Sequence, residues 1–200
     1  NLHSALKAFE KMAAELDAGE VVVTSDSDVV ARADRLVLPG DGAFPACHDA
    51  LTNSAIYDAL NEAVEYKARP FMGICVGMQL MAKEGHEYTQ TPGLGWIDGA
   101  VHKIAPSDLT LKIPHMGWNN LVIDHPHPIF DGIETGDHAY FVHSYQMQVA
   151  TPEQRIAHVD YAGDVTAVVA RDTMIGLQFH PEKSASQSLR MIGNFLKWRP

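Results

Sequence analysis

Residues 70 to 79 read Pro70-Phe71-Met72-Gly73-Ile74-Cys75-Val76-Gly77-Met78-Gln79, a short apolar run that ends at a cysteine between two glycines and continues into a helical pattern. Such a stretch leaves few ways to fold: a strand, a sharp turn and a helix. The form is that of a nucleophile elbow, in which a strained turn lifts a side chain above a sheet and small residues leave room for backbone and substrate. The helix start sets free N–H groups and a positive dipole end beside the sulfur, which favours thiolate and can receive an oxyanion. A buried structural cysteine is the ordinary alternative. The second glycine and the helix start favour the reactive one.

The surroundings of that stretch predict an α/β fold. Leu2, Leu6, Phe9, Ala13 and Leu16 are spaced for one face of an opening helix. Val21-Val22-Val23 and Arg35-Leu36-Val37-Leu38 read as buried strands, Pro39-Gly40-Asp41-Gly42 breaks the chain, and a helix is predicted from about Cys47 to Tyr66. Alternating strands and helices imply a doubly wound, mostly parallel sheet flanked by helices, with right-handed crossovers. After Gly93 the texture becomes β-rich, with strands predicted at 96–104, 109–113, 120–123, 140–149, 156–160, 165–170 and 174–179. Turn signals at Asp98-Gly99, Asp131-Gly132 and Ala162-Gly163-Asp164 suggest an added antiparallel portion. A last helix is predicted near 186–198. No repeat or linker divides the chain, so one domain over residues 1–200 is expected, and 46% apolar content suffices for its core.

A second constellation lies at Gly176-Leu177-Gln178-Phe179-His180-Pro181-Glu182-Lys183, where an apolar strand ends and a histidine is followed two residues later by a carboxylate. A thiolate nucleophile needs an imidazole to hold or remove its proton, and the imidazole needs an acceptor on its other nitrogen. His180 and Glu182 suit those roles, although spacing alone does not bring His180 to Cys75. Partners are narrowed by charge: a net −10 with 15 Lys plus Arg and no basic run leaves no footprint for nucleic acid or an anionic membrane. No apolar stretch approaches the roughly 18 residues needed to span a bilayer. With only Cys47 and Cys75 there is no disulfide framework, and a cytoplasmic setting is expected. His125-Pro126-His127 and Asp124 are close in sequence, but alternate prolines favour an extended loop, so no metal site and no cofactor are expected.

With Gly73-Ile74-Cys75-Val76-Gly77-Met78-Gln79 and Phe179-His180-Pro181-Glu182 in this order, the chain resembles the class I (triad) glutamine amidotransferases. Pro39-Gly40-Asp41-Gly42-Ala43-Phe44, Pro114-His115-Met116-Gly117-Trp118-Asn119 and Phe141-Val142-His143-Ser144-Tyr145 narrow the likeness to glutaminase subunits of imidazole glycerol phosphate synthases. The resemblance covers essentially the whole chain. It implies Cys75 as nucleophile, His180 as base and then acid, and Glu182 as the group orienting it. It implies an oxyanion hole from the N–H of Val76 and one from the turn at Gly40 and Asp41, and glutamine held by Gly40, Gly42, Gln79, Ser144 and Tyr145. It further implies a heterodimer with a β/α-barrel cyclase subunit, which receives ammonia for a step of histidine biosynthesis. Asn1, Trp118, Asn119, Tyr140 and Lys183 match the interface and channel mouth, though Trp118 could equally be a core aromatic.

Two departures qualify the match. The family begins with an apolar strand and a Gly-rich turn ending in Asn, whereas this chain starts at what looks like that Asn1, so its first strand is expected to be missing and the 200 residues to be a truncated stretch. Asp41 stands where many relatives carry an apolar residue; a carboxylate aimed at an oxyanion hole would oppose charge there, so Asp41 is expected to face solvent. Readings set against this one are a glutaminase component of another amidotransferase, such as anthranilate synthase, and a catalytically silent binding module of the same fold. The Pro114–Asn119 motif argues against the first, and retention of Cys75, His180 and Glu182 against the second.

Overall fold

In the computed structural model, which describes residues 2–183 and 186–200, Ala5, Ala8, Phe9 and Ala13 make one buried stripe of the first helix, α1 (Leu2–Leu16). Next comes α2 (Ser27–Arg32), whose N-terminus is capped by Asp26 accepting from the Asp28 N–H at 2.8 Å. The elements that follow are β1 (Leu36–Gly40), α3 (Phe44–Thr52), α4 (Tyr57–Asn61), β2 (Phe71–Cys75) and α5 (Val76–Gln79). The second half contains β3 (Ala82–Glu87), β4 (Thr89–Pro92), β5 (Ile97–Lys103), β6 (His115–Asn120), β7 (Val122–Ile123), β8 (His138–His143), β9 (Tyr145–Val149), β10 (Arg155–Asp160), β11 (Asp164–Arg171), β12 (Met174–Leu177) and α6 (Ser186–Lys197).

These strands form three sheets. The largest has the order β1-β2-β12-β11-β10-β7; β1, β2 and β12 run parallel, and β12, β11, β10 and β7 are joined by antiparallel ladders. All five residues of β2 are buried, as a strand paired on both edges and covered on both faces demands. A four-stranded sheet, β4-β3-β5-β9, and a two-stranded ribbon, β6-β8, complete the mixed α/β architecture. No helix among the described residues is long and apolar enough to cross a membrane.

Several sequence expectations meet tertiary constraints that local pattern does not carry. Val21–Val23 is no strand: it has no ladder, and Val22 and Val23 are 54% and 51% exposed. Nor is 109–113, where Leu109 is 92% exposed in a loop. An aliphatic run becomes a strand only if another edge is within reach of its N–H and C=O groups. The predicted helix from Cys47 to Tyr66 is three pieces, α3, α4 and a π-helical turn at Glu62–Tyr66. The helix after Cys75 is a single turn, so its dipole is weaker than the sequence suggested. The run 140–149 divides at Ser144 into β8 and β9, which belong to different sheets, and His115–Asn120 adds a strand where only a motif had been noted.

Candidate active site

Parallel pairing decides where the site lies. Gly40 is registered opposite Cys75, and Leu177 opposite Ile74, so the C-terminal ends of β1, β2 and β12 stand side by side. The Pro39–Gly42 turn, the Cys75 elbow and the Gln178–Glu182 segment all leave the sheet at that edge, the usual position for a site in an open α/β sheet. Cys75 has φ 55° and ψ −116°, a left-handed backbone on a residue with a side chain and thus a strained elbow. The elbow also packs very tightly: a Cβ added at Gly77 would lie 1.9 Å from the Leu38 carbonyl oxygen. The room left by that glycine is filled by the backbone of β1.

His180 donates from Nδ1 to Glu182 Oε1 at 2.8 Å, and both side chains are buried. The backbone is pinned as well, since the His180 N–H donates to the Tyr140 carbonyl at 3.0 Å. The hydrogen bond with Cys75, followed by the one to Glu182, outweighs burial and pushes the imidazole up to about 9. Burial alone would raise the Glu182 carboxyl, but the His180 hydrogen bond, a backbone hydrogen bond and the His180 charge leave it below its ordinary value. At neutral pH the histidine is therefore an imidazolium held between a sulfur and a carboxylate. A cavity of about 180 Å³ opens beside the pair, between Leu2 and Ala5 of α1 and Gly40 and Asp41 at the end of β1.

The remaining assigned residues separate into those near the thiol and those on a face beyond it. Gln79 is buried; its side-chain nitrogen donates to the Tyr145 carbonyl at 3.1 Å and to Gln178 Oε1 at 3.0 Å. The Ser144 carbonyl accepts from the Ile104 N–H at 2.9 Å. The Asp41 residue is exposed, as expected, and its carbonyl accepts from the Cys47 thiol at 3.4 Å, tying α3 to the Gly40–Gly42 turn. Burial, then the charges of Asp41 and Glu87, push that second thiol up, so it stays protonated. Trp118 and Tyr140 are direct cross-strand partners on β6 and β8, stacked edge to face at 5.4 Å between centroids, with Lys183 Nζ 5.7 Å from the Tyr140 ring. Trp118 is 54% exposed and is no core aromatic. Asn119 donates to His115 Nε2 and to the Asp160 carbonyl, each at 3.1 Å. Asn1 lies outside the described residues. Asp124 is engaged by Arg155 and His158 rather than by the neighbouring histidines, and His127 accepts from the Ile129 N–H.

Four residues that the sequence does not single out also contribute. Glu87 of β3 accepts from the Phe44 N–H at 2.9 Å and so caps α3 directly after the Pro39–Gly42 turn. Gln178, fully buried, lies with its side-chain nitrogen 3.8 Å from Cys75 Sγ. His115 and His143 meet at 2.8 Å, and both are pushed down to about 4, chiefly by burial. The first two partnerships join residues distant in sequence, and no local pattern announces them; the histidines were visible only as parts of the two motifs.

A sheet with this order, with a cysteine elbow and a His–Glu pair at its parallel edge, matches the class I amidotransferases. The glutamine amidotransferase class-I family model matches residues 2–198, and the chain belongs to that family. It is 69% identical over 201 residues to the imidazole glycerol phosphate synthase subunit HisH of Ruegeria pomeroyi, covering 100% of this chain and 95% of the relative. It is 62% identical to the protein of the same name from Cereibacter sphaeroides, with the same coverage. A crystal structure of a glutamine amidotransferase superposes with a TM-score of 0.70 at 18% identity, covering 96% of this chain and 92% of that one, which speaks for the fold alone.

Proposed function

We propose that Cys75, His180 and Glu182 hydrolyse glutamine in this chain, a glutaminase subunit of imidazole glycerol phosphate synthase acting in histidine biosynthesis as one domain over residues 1–200. The observation that carries the assignment is the parallel register of β12 on β2, which sets the buried His180–Glu182 pair beside the strained elbow of Cys75. The thiolate adds to the side-chain carbonyl of glutamine, and the developing oxyanion takes N–H groups from Val76 and from the Gly40–Asp41 turn. His180 then protonates the leaving nitrogen, and ammonia departs. Water, deprotonated by His180, attacks the glutamyl thioester and releases glutamate. Glutamine is held by Gly40, Gly42, Gln79, Ser144 and Tyr145.

Ammonia set free in water would be protonated and lose its nucleophilicity, so the product needs a sheltered route to a partner subunit. A cyclase of β/α-barrel fold fits that need. The docking face is assigned to Trp118, Asn119, Tyr140 and Lys183, and by resemblance to Asn1; the support is an exposed Trp118 stacked on a half-buried Tyr140 with a cation over the latter, on a ribbon whose Tyr140 carbonyl also holds the His180 backbone. A free thiol nucleophile suits a reducing, cytoplasmic setting. The decisive experiment is Cys75→Ala in the complex with the partner. Glutamine-dependent synthesis is expected to vanish while ammonia-dependent synthesis persists, and turnover of glutamine at a comparable rate would overturn the assignment.

A further inference from the structure

The carbonyl oxygen of Tyr145 determines how the amide groups beside the nucleophile are oriented. A carbonyl can only accept, so both side-chain nitrogens facing it must donate: His143 Nδ1 at 2.8 Å and Gln79 Nε2 at 3.1 Å. The amide end of Gln79 is thereby assigned, and the same nitrogen reaches Gln178 Oε1 at 3.0 Å. Gln178 must therefore spend its oxygen on Gln79, which turns its own NH₂ group toward Cys75 Sγ, 3.8 Å away. The Gln178 backbone is anchored too, its N–H donating to the Ala167 carbonyl at 2.9 Å. An amide that is fully buried, held at its backbone and oriented through two hydrogen bonds has little freedom to turn away from the sulfur.

We propose that Gln178 is a further catalytic residue of the glutaminase reaction, its side-chain N–H donating to the Cys75 sulfur whenever that sulfur carries negative charge. With Cys75 as the nucleophile read above, the donor acts at two points. In the resting enzyme it donates to the sulfur from the side-chain amide of Gln178, beside the hydrogen bond between Cys75 and His180. During hydrolysis of the thioester, water adds to the acyl carbon and yields its proton to His180; the C–S bond then breaks and its electron pair returns to sulfur. Gln178 stabilises the leaving thiolate at that step, where no proton need be delivered to it. During the acylated interval the sulfur is neutral and the donor contributes little. The thioester therefore gains less from Gln178 than the state that breaks it down does.

The test uses the full-length chain bound to its partner subunit, with Gln178→Leu to remove the donor and Gln178→Glu to keep the acceptor for Gln79 while placing an oxygen against the sulfur. Loss of a charge-assisted donor is expected to lower kcat for glutamine about ten- to a hundredfold in Gln178→Leu, with acyl-enzyme accumulating and KM falling. The pH profile for alkylation of Cys75 by iodoacetamide should move up by about one unit. Ammonia-dependent synthesis stays at the wild-type rate, which shows that both subunits are folded and assembled. Gln178→Glu should be the slower variant at alkaline pH and recover relative to wild type as the carboxyl is protonated and becomes a donor. A merely structural role would leave the alkylation profile in place; an unshifted profile in both variants with kcat within about threefold of wild type would overturn the proposal. Failure of the underlying nucleophile assignment looks different, with iodoacetamide mapping to Cys47 and Cys75→Ala still active.

Discussion

The parallel corner of the main sheet and the β6–β8 ribbon solve opposite problems. At the corner, Gly40, Cys75 and Leu177 end three adjoining strands, the packing admits no Cβ at Gly77, and Cys75, His180 and Glu182 are all buried. On the ribbon, Met116 and Trp118 are large apolar side chains left in water, while the alternate residues, His115, Phe141 and His143, are buried. The corner withdraws Cys75, His180 and Glu182 from solvent, which strengthens the His180–Glu182 interaction and holds the Cys75 thiol in one place. The ribbon keeps one face inside and offers the other. The two meet at a single strand, since β8 supplies the Tyr140 carbonyl that holds the His180 backbone and, next to it, the Phe141 ring in contact with Phe179 at 5.6 Å. On the proposed reading, Tyr140 belongs at once to the docking face, through its ring, and to the support of His180, through its carbonyl.

Changes at the corner should cost far more than changes on the ribbon. The largest effect is expected from Glu182→Gln, which keeps the shape but removes the acceptor for His180 Nδ1. By analogy with other triads kcat for glutamine should fall roughly a thousand- to ten-thousandfold. The wild-type rate should also decline as pH rises through about 9, where the imidazolium that protonates the leaving nitrogen is lost, and in Glu182→Gln this limb should appear at lower pH. A pH–rate profile of both enzymes decides the matter; an unmoved limb would separate His180 from Glu182.

The buried side of the ribbon is probed by acid. His115 and His143 stay neutral in the folded chain with values near 4, below the 6.5 of an exposed imidazole. Between those values the unfolded chain binds more protons, so stability is complete above about pH 6.5 and is lost as pH falls toward 4. The loss should reach at most about 3 kcal/mol for each imidazole. Urea unfolding across that range would measure it, and His143→Gln should flatten the slope. The smallest effect belongs to the exposed side. Trp118→Ala should weaken partner binding by about 2 kcal/mol, or some thirtyfold in Kd, read by calorimetric titration. Melting of the isolated subunit should move by no more than about 2 °C, because the side chain is no part of the core.

How far each region was legible follows the same division. The elbow was readable because its cause is local: small residues on both sides of a cysteine at a strand end. The exposure of Asp41 also followed from the electrostatics of its immediate neighbours. Val21–Val23 and 109–113 misled because aliphatic composition describes what could pair and says nothing about which edge is available. The ribbon's first strand was missed since Gly117 and the polar residues 119 and 120 weaken the alternation of His115–Asn120, although its register opposite β8 is continuous. Gln178 and Glu87 left no trace in the pattern. Their partners, Cys75 and Phe44, lie 103 and 43 residues away.

The sequence by itself determined the order of the chemical parts, the strained turn that raises Cys75, and the histidine and carboxylate spaced to pair with each other, because each depends on sterics and bonding reach within a few residues. Only the tertiary structure decided that β12 pairs parallel to β2 rather than elsewhere, that Trp118 faces outward, and that the Tyr145 carbonyl orients an amide onto the sulfur. Those outcomes are competitions among distant segments for the same edges, faces and hydrogen-bonding atoms, and such a competition has its result only when the whole chain has closed around them.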